Sequence, residues 1–368
     1  MLLEKQTARA TLSPNNPIVN RFILSHSSWS ITVSKLRIYI TLTISIVINT
    51  GSLAQSDNSS SWVMQRTVHG YPDFHGYWFF GSRTPLQRSP GLGNRQAYSE
   101  AEAEELELAM QNRLDQQDAP LEPNRGAPEK GARIGQEADD AFLGHYLPAE
   151  LIPINGEYKT SVIYHPMDGR IPRREGFLDF HAKRRASGLK DTDGPEGQNL
   201  SGRCLMFGAA VPSLTPGMMN PNLQIVQTKD HIMVLTEMIH DARIIRINDN
   251  HLPFNIPQWM GDSVASWEED TLVVHSKNFR PEQSSSRTIT ISDEFELTER
   301  YTLVSKDEIL YEFTVVDNKA YEQPFSGQRI LTRNRPEERV YEYACHEGNY
   351  SLPGILAGAR RLESENNN

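Results

Sequence analysis

From Asn222 onward the chain alternates short β-prone runs with polar turns, and few folds accommodate so many hairpins in succession. Leu223 to Thr228 turns at Lys229-Asp230 into His231 to Ile239; Ala242 to Ile247 turns at Asp249-Asn250; Val264 to Glu268 turns at Glu269-Asp270 into Thr271 to Phe279. Ile289 to Val304 is long enough for a bent or bulged strand that returns through Ser305-Lys306-Asp307 into Glu308 to Val316. Phe325 to Arg333 and Arg339 to His346 complete the set. This spacing predicts about nine strands, and no strand–helix–strand alternation points to a parallel sheet. An open sheet of hairpins would expose its edges. The expected fold is therefore mainly β, an antiparallel meander closing into a lipocalin-like barrel, with a two-sheet sandwich as the alternative. Barrels of this size commonly enclose space for one small ligand.

The region before the meander is less regular. Pro72 to Gly81 reads as a turn feeding a short aromatic strand. Ser99 with Glu102 forms a capping-box signature, after which Ala103, Leu106, Met110 and Leu114 share one face of a helix ending before Pro120. Residues 117–147 read as a long excursion. A strand from Glu157 to Tyr164 precedes a tight turn at Asp168-Gly169. Residues 171–203, basic early and Gly-rich late, read as loop with one helix near Gly176 to Ala186. A short C-terminal helix from about Pro353 to Arg361 and a disordered tail at 362–368 close the chain. Residues 62–361 are expected to form a single β-rich domain, with N-terminal strands, helix and loops over 62–203 and the barrel core over 204–361.

Lys35 and Arg37 precede an apolar run from Ile38 to Ile48, and Ser52 and Ala54 follow it, which is the layout of a secretory signal peptide cleaved after Ala54. The run is short for a membrane anchor, which needs about 20 apolar residues. Residues before Lys35 form an upstream extension, and 55–61 a Ser-rich linker. Without residues 1–54 the formal charge falls from −10 to −14. So acidic a chain is a poor ligand for phosphate backbones or anionic lipid. The expected location is the periplasm or the exterior, with a small molecule as ligand or substrate, no nucleic acid, and no membrane after signal removal. In an oxidising compartment Cys204 and Cys345 read as a disulfide whose long loop would contribute about 4–5 kcal/mol. The rival reading, a nucleophilic Cys345 served by His346, is weakened because adjacent strand residues face opposite sides.

Two polar clusters stand out. In Glu237-Met238-Ile239-His240-Asp241-Ala242-Arg243, alternation puts Glu237, Asp241 and Arg243 on one strand face and His240 on the other, unless a bulge shifts the phase. Such charges belong either to a functional site or to a buried ion pair or hydrogen-bonded clasp of the barrel. In Tyr341 to Tyr350, a bridged Cys345 would fix His346 and Glu347 at a strand rim as acid–base partners or ligands, or leave His346 as a capping histidine.

These stretches, together with Asn222 to Gln227, Trp267 to Val274, Thr298-Glu299-Arg300-Tyr301, Pro72 to Trp78 and Thr84-Pro85-Leu86, resemble the successive motifs of a large family of uncharacterised secreted bacterial proteins ending in a Tyr-Ala-Cys-His-Glu-Gly-Asn-Tyr motif. The resemblance covers nearly all of the chain after residue 62 and implies export and a single β-rich body, with no activity to carry over. The sequence departs from it at Glu269, where the family commonly has glycine, and at His275, where an acidic residue is usual.

Two functions follow as expectations. The first is an exported enzyme doing acid–base chemistry, as a lyase, isomerase or hydrolase, on a small organic substrate in the barrel cavity. Glu237 or His240 would be its base, Arg243 would hold an anionic or carbonyl group, and His346 would donate a proton. The alternative is a lipocalin-like carrier of an apolar or aromatic compound. Trp78, Trp259, Trp267 and Tyr343 would line its cavity, with Glu347 and Asn349 as further binding residues. No cofactor is required. No His-x-His, Cys-x-x-Cys or His-Glu-x-x-His spacing occurs, so a metal held by His240, His346 and Glu237 would have to be assembled across strands. The absence of a Gly-x-Ser-x-Gly elbow argues against a serine hydrolase.

Overall fold

The alternation read from the sequence is physically realised in the long central hairpin, where every second side chain along both strands is buried. The computed structural model describes residues 62–118, 147–206, 211, 214, 220–253, 256–284 and 289–366. Its strands are β1 (Gly76–Phe79), β2 (Ala97–Tyr98), β3 (Tyr158–Lys159), β4 (Ile163–His165), β5 (Asn222–Gln227), β6 (His231–Thr236), β7 (Ala242–Ile247), β8 (Asp262–Glu268), β9 (Thr271–Lys277), β10 (Glu296–Ser305), β11 (Glu308–Val316) and β12 (Phe325–Arg333). The helices are α1 (Glu100–Asp118), α2 (Phe180–Ala186) and α3 (Ser351–Asn366).

Strands β5 to β12 pair in chain order and β1 joins β5 to β12, closing a nine-strand barrel. A ring in which every strand opposes its neighbours needs an even number of strands. Nine close here because β7 and β8 run parallel, with Ile245 opposite Ser263. The expected meander is therefore antiparallel at every step but this one. Residues 248–261 carry the chain back along the barrel as the crossover that a parallel pair requires. Strand β12 is doubly used, meeting β4 near its start and β1 near its end.

Several boundaries differ from the expected ones. The strand expected from Glu157 to Tyr164 is split between β3 and β4. Arg339 to His346 form no strand, and both halves of β12's free edge are already occupied. Helix α3 extends to Asn366, through most of the expected tail. The capping box is present: the Ser99 amide donates to Glu102 Oε2 at 2.8 Å, and the Glu102 amide to Ser99 Oγ at 3.3 Å. The signal segment, the linker up to residue 61 and most of the 117–147 excursion lie outside the described residues.

Inner-face side chains fill the barrel. One end is closed by Trp267, stacked on Tyr71 at 4.9 Å with Phe74 behind it. Among the described residues two small spaces lie between inner-face side chains, one lined by Phe74, Ile225, Ile232 and Leu272, the other by Leu223, Thr236, Arg243 and Met260. Each has a cavity volume of about 10 Å³, room for a single water.

Candidate functional site at the barrel end

Strand direction puts the β6–β7 turn at the barrel end where β8 and β10 begin and β9 and β11 finish. The turn itself, Glu237 to Asp241, is strained. Ile239 and His240 have φ of 61° and 46°, a region costly for a β-branched side chain. Three backbone bonds hold it: Thr236 N–H to Asp241 O at 2.9 Å, Glu237 N–H to Asn222 O at 2.9 Å, and His240 N–H to Glu237 O at 3.2 Å. The Glu237 side chain holds it too. This buried carboxylate accepts from Asn220 Nδ2 at 3.0 Å and Asn222 Nδ2 at 2.7 Å, and Asn334 Nδ2 in turn donates to Asn222 Oδ1 at 2.9 Å. Glu237 is thus the hydrogen-bonded clasp of the two readings set out for it.

His240 projects from the strained turn and is exposed. Its Nδ1 lies 3.0 Å from the Tyr343 carbonyl. A carbonyl only accepts, so Nδ1 carries the hydrogen and, in the neutral ring, Nε2 keeps its lone pair as a base. Next to it, half-buried Asp241 is pushed up to about 6 by burial, against the pull of His240. A raised carboxyl and an imidazole on adjacent residues form the chemically capable part of this end. Asp241 was not among the residues chosen from the sequence. The available signal was a carboxylate at the mouth of a hairpin whose neighbours are apolar.

The C-terminal segment lies against the same turn. Cys204 and Cys345 form a disulfide with Cα atoms 5.6 Å apart, so Cys345 is not a free nucleophile. Asn349 Nδ2 donates to Gly202 O at 2.9 Å and approaches Cys204 Sγ at 3.5 Å. Tyr343 packs partly buried against the core, while His346 and Glu347 are exposed.

Arg243 is placed elsewhere, inside the barrel. Its guanidinium donates from Nε to Ser263 Oγ at 3.0 Å, from Nη2 to Ser276 Oγ at 2.6 Å, and from both Nη atoms to the Glu299 carboxylate. Tyr301 and Tyr311 hydroxyls donate to Glu299 Oε1 at 2.8 and 3.1 Å. Burial alone would lower the Arg243 pKa, but the Glu299 charge and bonds raise it. Arg243 is therefore half of a buried ion pair, and its partner is Glu299 rather than Glu237. No side-chain hydrogen bond joins any two of Glu237, His240, Arg243 and His346; the turn brings the first two together through the His240 amide and the Glu237 carbonyl, and the disulfide brings the last to the neighbouring segment. Among the described residues no group of three or more His, Cys, Asp or Glu side chains is gathered as a metal site requires, so Glu237, His240 and His346 do not assemble one.

The aromatic residues expected to line a ligand cavity are dispersed. Trp78 is fully buried, donates from Nε1 to Phe74 O at 3.0 Å and lies under the Arg333 guanidinium. Trp267 belongs to the plug at the opposite end. Trp259 stacks with Arg280 at 4.5 Å. None of these, nor Tyr343, lines either interior space.

A second polar group, on the outer wall, was not visible in the sequence. Asp262 Oδ2 meets His251 Nδ1 at 2.9 Å, His251 Nε2 meets His275 Nδ1 at 2.8 Å, and His275 Nε2 meets Glu296 Oε2 at 3.3 Å. Burial would raise Asp262, yet the Leu252 amide, His251 and Arg246 together hold it below the usual range. His275, where the sequence departs from the family it resembles, thus takes part in a side-chain chain that reaches Glu296. No family model matches the chain, and no curated protein matches it.

Proposed function

We propose that this is an exported enzyme that moves protons on a small organic substrate, as a lyase, isomerase or hydrolase, at the barrel end where His240 and Asp241 emerge. The observation that carries the reading is the strained turn. It holds His240 with Nε2 available as a base and sets beside it a carboxyl at about 6. Backbone held in a costly conformation tends to occur where position matters to function. Glu237 positions the turn through Asn220 and Asn222, and His346 stands on the neighbouring segment as a further proton donor. Export is supported by the disulfide, which persists in oxidising compartments, and by the apolar run after Lys35. The carrier reading would need a ligand-sized space, and the two interior spaces lined by described residues have water-sized volumes.

The test is exchange of solvent deuterium into a panel of small carbonyl compounds, esters and hydroxy acids, followed by NMR with the purified protein. His240→Gln and Asp241→Asn should each slow the exchange about a hundredfold or more with an unchanged melting temperature. Exchange that persists in both variants would remove His240 and Asp241 from the chemistry, and a tightly bound compound recovered unchanged with no exchange would favour the carrier instead.

A further inference from the structure

The segment from Arg170 to Lys190 carries seven basic residues and two acidic ones within a chain of net charge −10. Part of that excess surrounds a cleft of about 210 Å³ at the barrel end where β11 finishes. Its lining includes Arg173, Arg174 and Arg185, with Phe177, Ala182 and Ala320 as apolar wall. Asp179 is the one carboxylate among the lining residues, and it is committed to capping α2, accepting from the Ala182 amide at 2.7 Å.

The walls of the cleft are fixed in place. The Arg174 amide donates to Ala320 O at 2.9 Å, and the Glu322 amide to Pro172 O at 2.9 Å, tying the basic segment to the β11–β12 connection. Arg174 Nε and Nη2 donate to the carbonyls of Asn318 and Tyr321 at 3.2 and 3.1 Å, and Arg173 bonds the Thr290 hydroxyl. Thr290 is held in turn by the Tyr321 hydroxyl, which accepts from its amide at 2.8 Å and donates to its carbonyl at 2.7 Å. The two carbonyls orient the Arg174 guanidinium without cancelling its charge. Arg185 has only a loose carboxylate neighbour, Asp191 at 3.9 Å, and both are more than half exposed. The result is a concavity with Arg174 and Arg185 on its polar side and Phe177, Ala182 and Ala320 on its apolar side.

We infer that this cleft binds a small carboxylate with a short apolar or aromatic body, its charge toward Arg174 and Arg185 and its carbon skeleton against Phe177, Ala182 and Ala320. The inference is independent of the chemistry assigned to His240 and Asp241. Arginine forks match carboxylates in two-point geometry, and Arg174, already held by two carbonyls, loses little freedom on binding.

Calorimetric titration of the whole protein with benzoate tests it, with benzamide as the neutral isostere and inorganic phosphate as a competitor. Saturable benzoate binding is expected, weakened by added salt, with none for benzamide. Arg185→Gln, at an exposed position, should weaken binding about tenfold at an unchanged melting temperature, and Arg174→Gln at least as much. Equal binding of benzamide, displacement by phosphate in preference to benzoate, no saturable binding, or an unaltered Arg185→Gln variant would each overturn the proposal.

Discussion

Replacing Glu299 by alanine is expected to lower the unfolding free energy by about 3–5 kcal/mol, read as a shift in the urea midpoint at constant slope. Glu299 is fully buried and accepts from Arg243, Tyr301 and Tyr311. Its loss would leave the Arg243 charge inside the barrel without its carboxylate. Arg329 is also fully buried there, pushed by burial down to about 10 against the pull of Tyr311 and Tyr301. The double replacement Arg243→Met with Glu299→Leu should recover most of the loss, because a well-packed apolar pair is often as stable as a buried ion pair. A Glu299→Ala protein within 1 kcal/mol of the parent would mean that the pair is solvated.

The second large effect belongs to the disulfide. Cys204 and Cys345 are 141 residues apart, and replacing both by alanine should cost about 4–5 kcal/mol through the regained entropy of the unfolded chain. Calorimetry of the double variant, or of the parent under reductant, measures it. The segment around Cys345 forms no strand, and apart from the bridge its recorded ties to its surroundings include the Tyr343 carbonyl on His240 and Asn349 on Gly202. The same replacement should therefore make residues 335–350 a preferred site of limited proteolysis. An unchanged melting temperature would show that these weaker ties suffice.

Hairpins with two-residue polar turns were legible in the sequence. β7, β11 and β12 have the boundaries that alternation assigns them, and β5, β6, β8 and β9 differ mainly at their ends. What was not legible depends on partners distant in the chain. Residues 289–295 look as β-prone as those after them, yet their amides are taken by side chains: Thr290 by Tyr321 Oη, Ile291 by Ser284 Oγ, Ser292 by Asp317 Oδ2. A ladder cannot form where its donors are already used. Arg339 to His346 alternate well enough for a strand, but the edge they would need is shared between β1 and β4. The parallel step at β7–β8 was hidden because residues 248–261 read locally as a turn.

The polar centre follows the same rule. Arg243 was visible, but its partner lies on β10 and outside its own cluster. Glu299 did carry a signal. It occupies the same face as Leu297, Tyr301 and Leu303, all buried, so a carboxylate in an apolar phase already pointed inward. His240 and Asp241 divide differently. Their presence in a polar cluster could be read from the sequence. The positive φ that turns His240 outward, and the carbonyl 103 residues away that sets its tautomer, could not.

The interior polar groups thus hold the barrel together, while the groups suited to moving protons sit on a strained turn at its end. Carbon-13 NMR of the Asp241 carboxyl in the intact protein, followed from pH 3 to 9, measures this division where it matters most. A titration midpoint of about 6 is expected. A midpoint near the ordinary aspartate value of about 4 would mean that the turn holds a common surface carboxylate, and the proposed site would lose its acid.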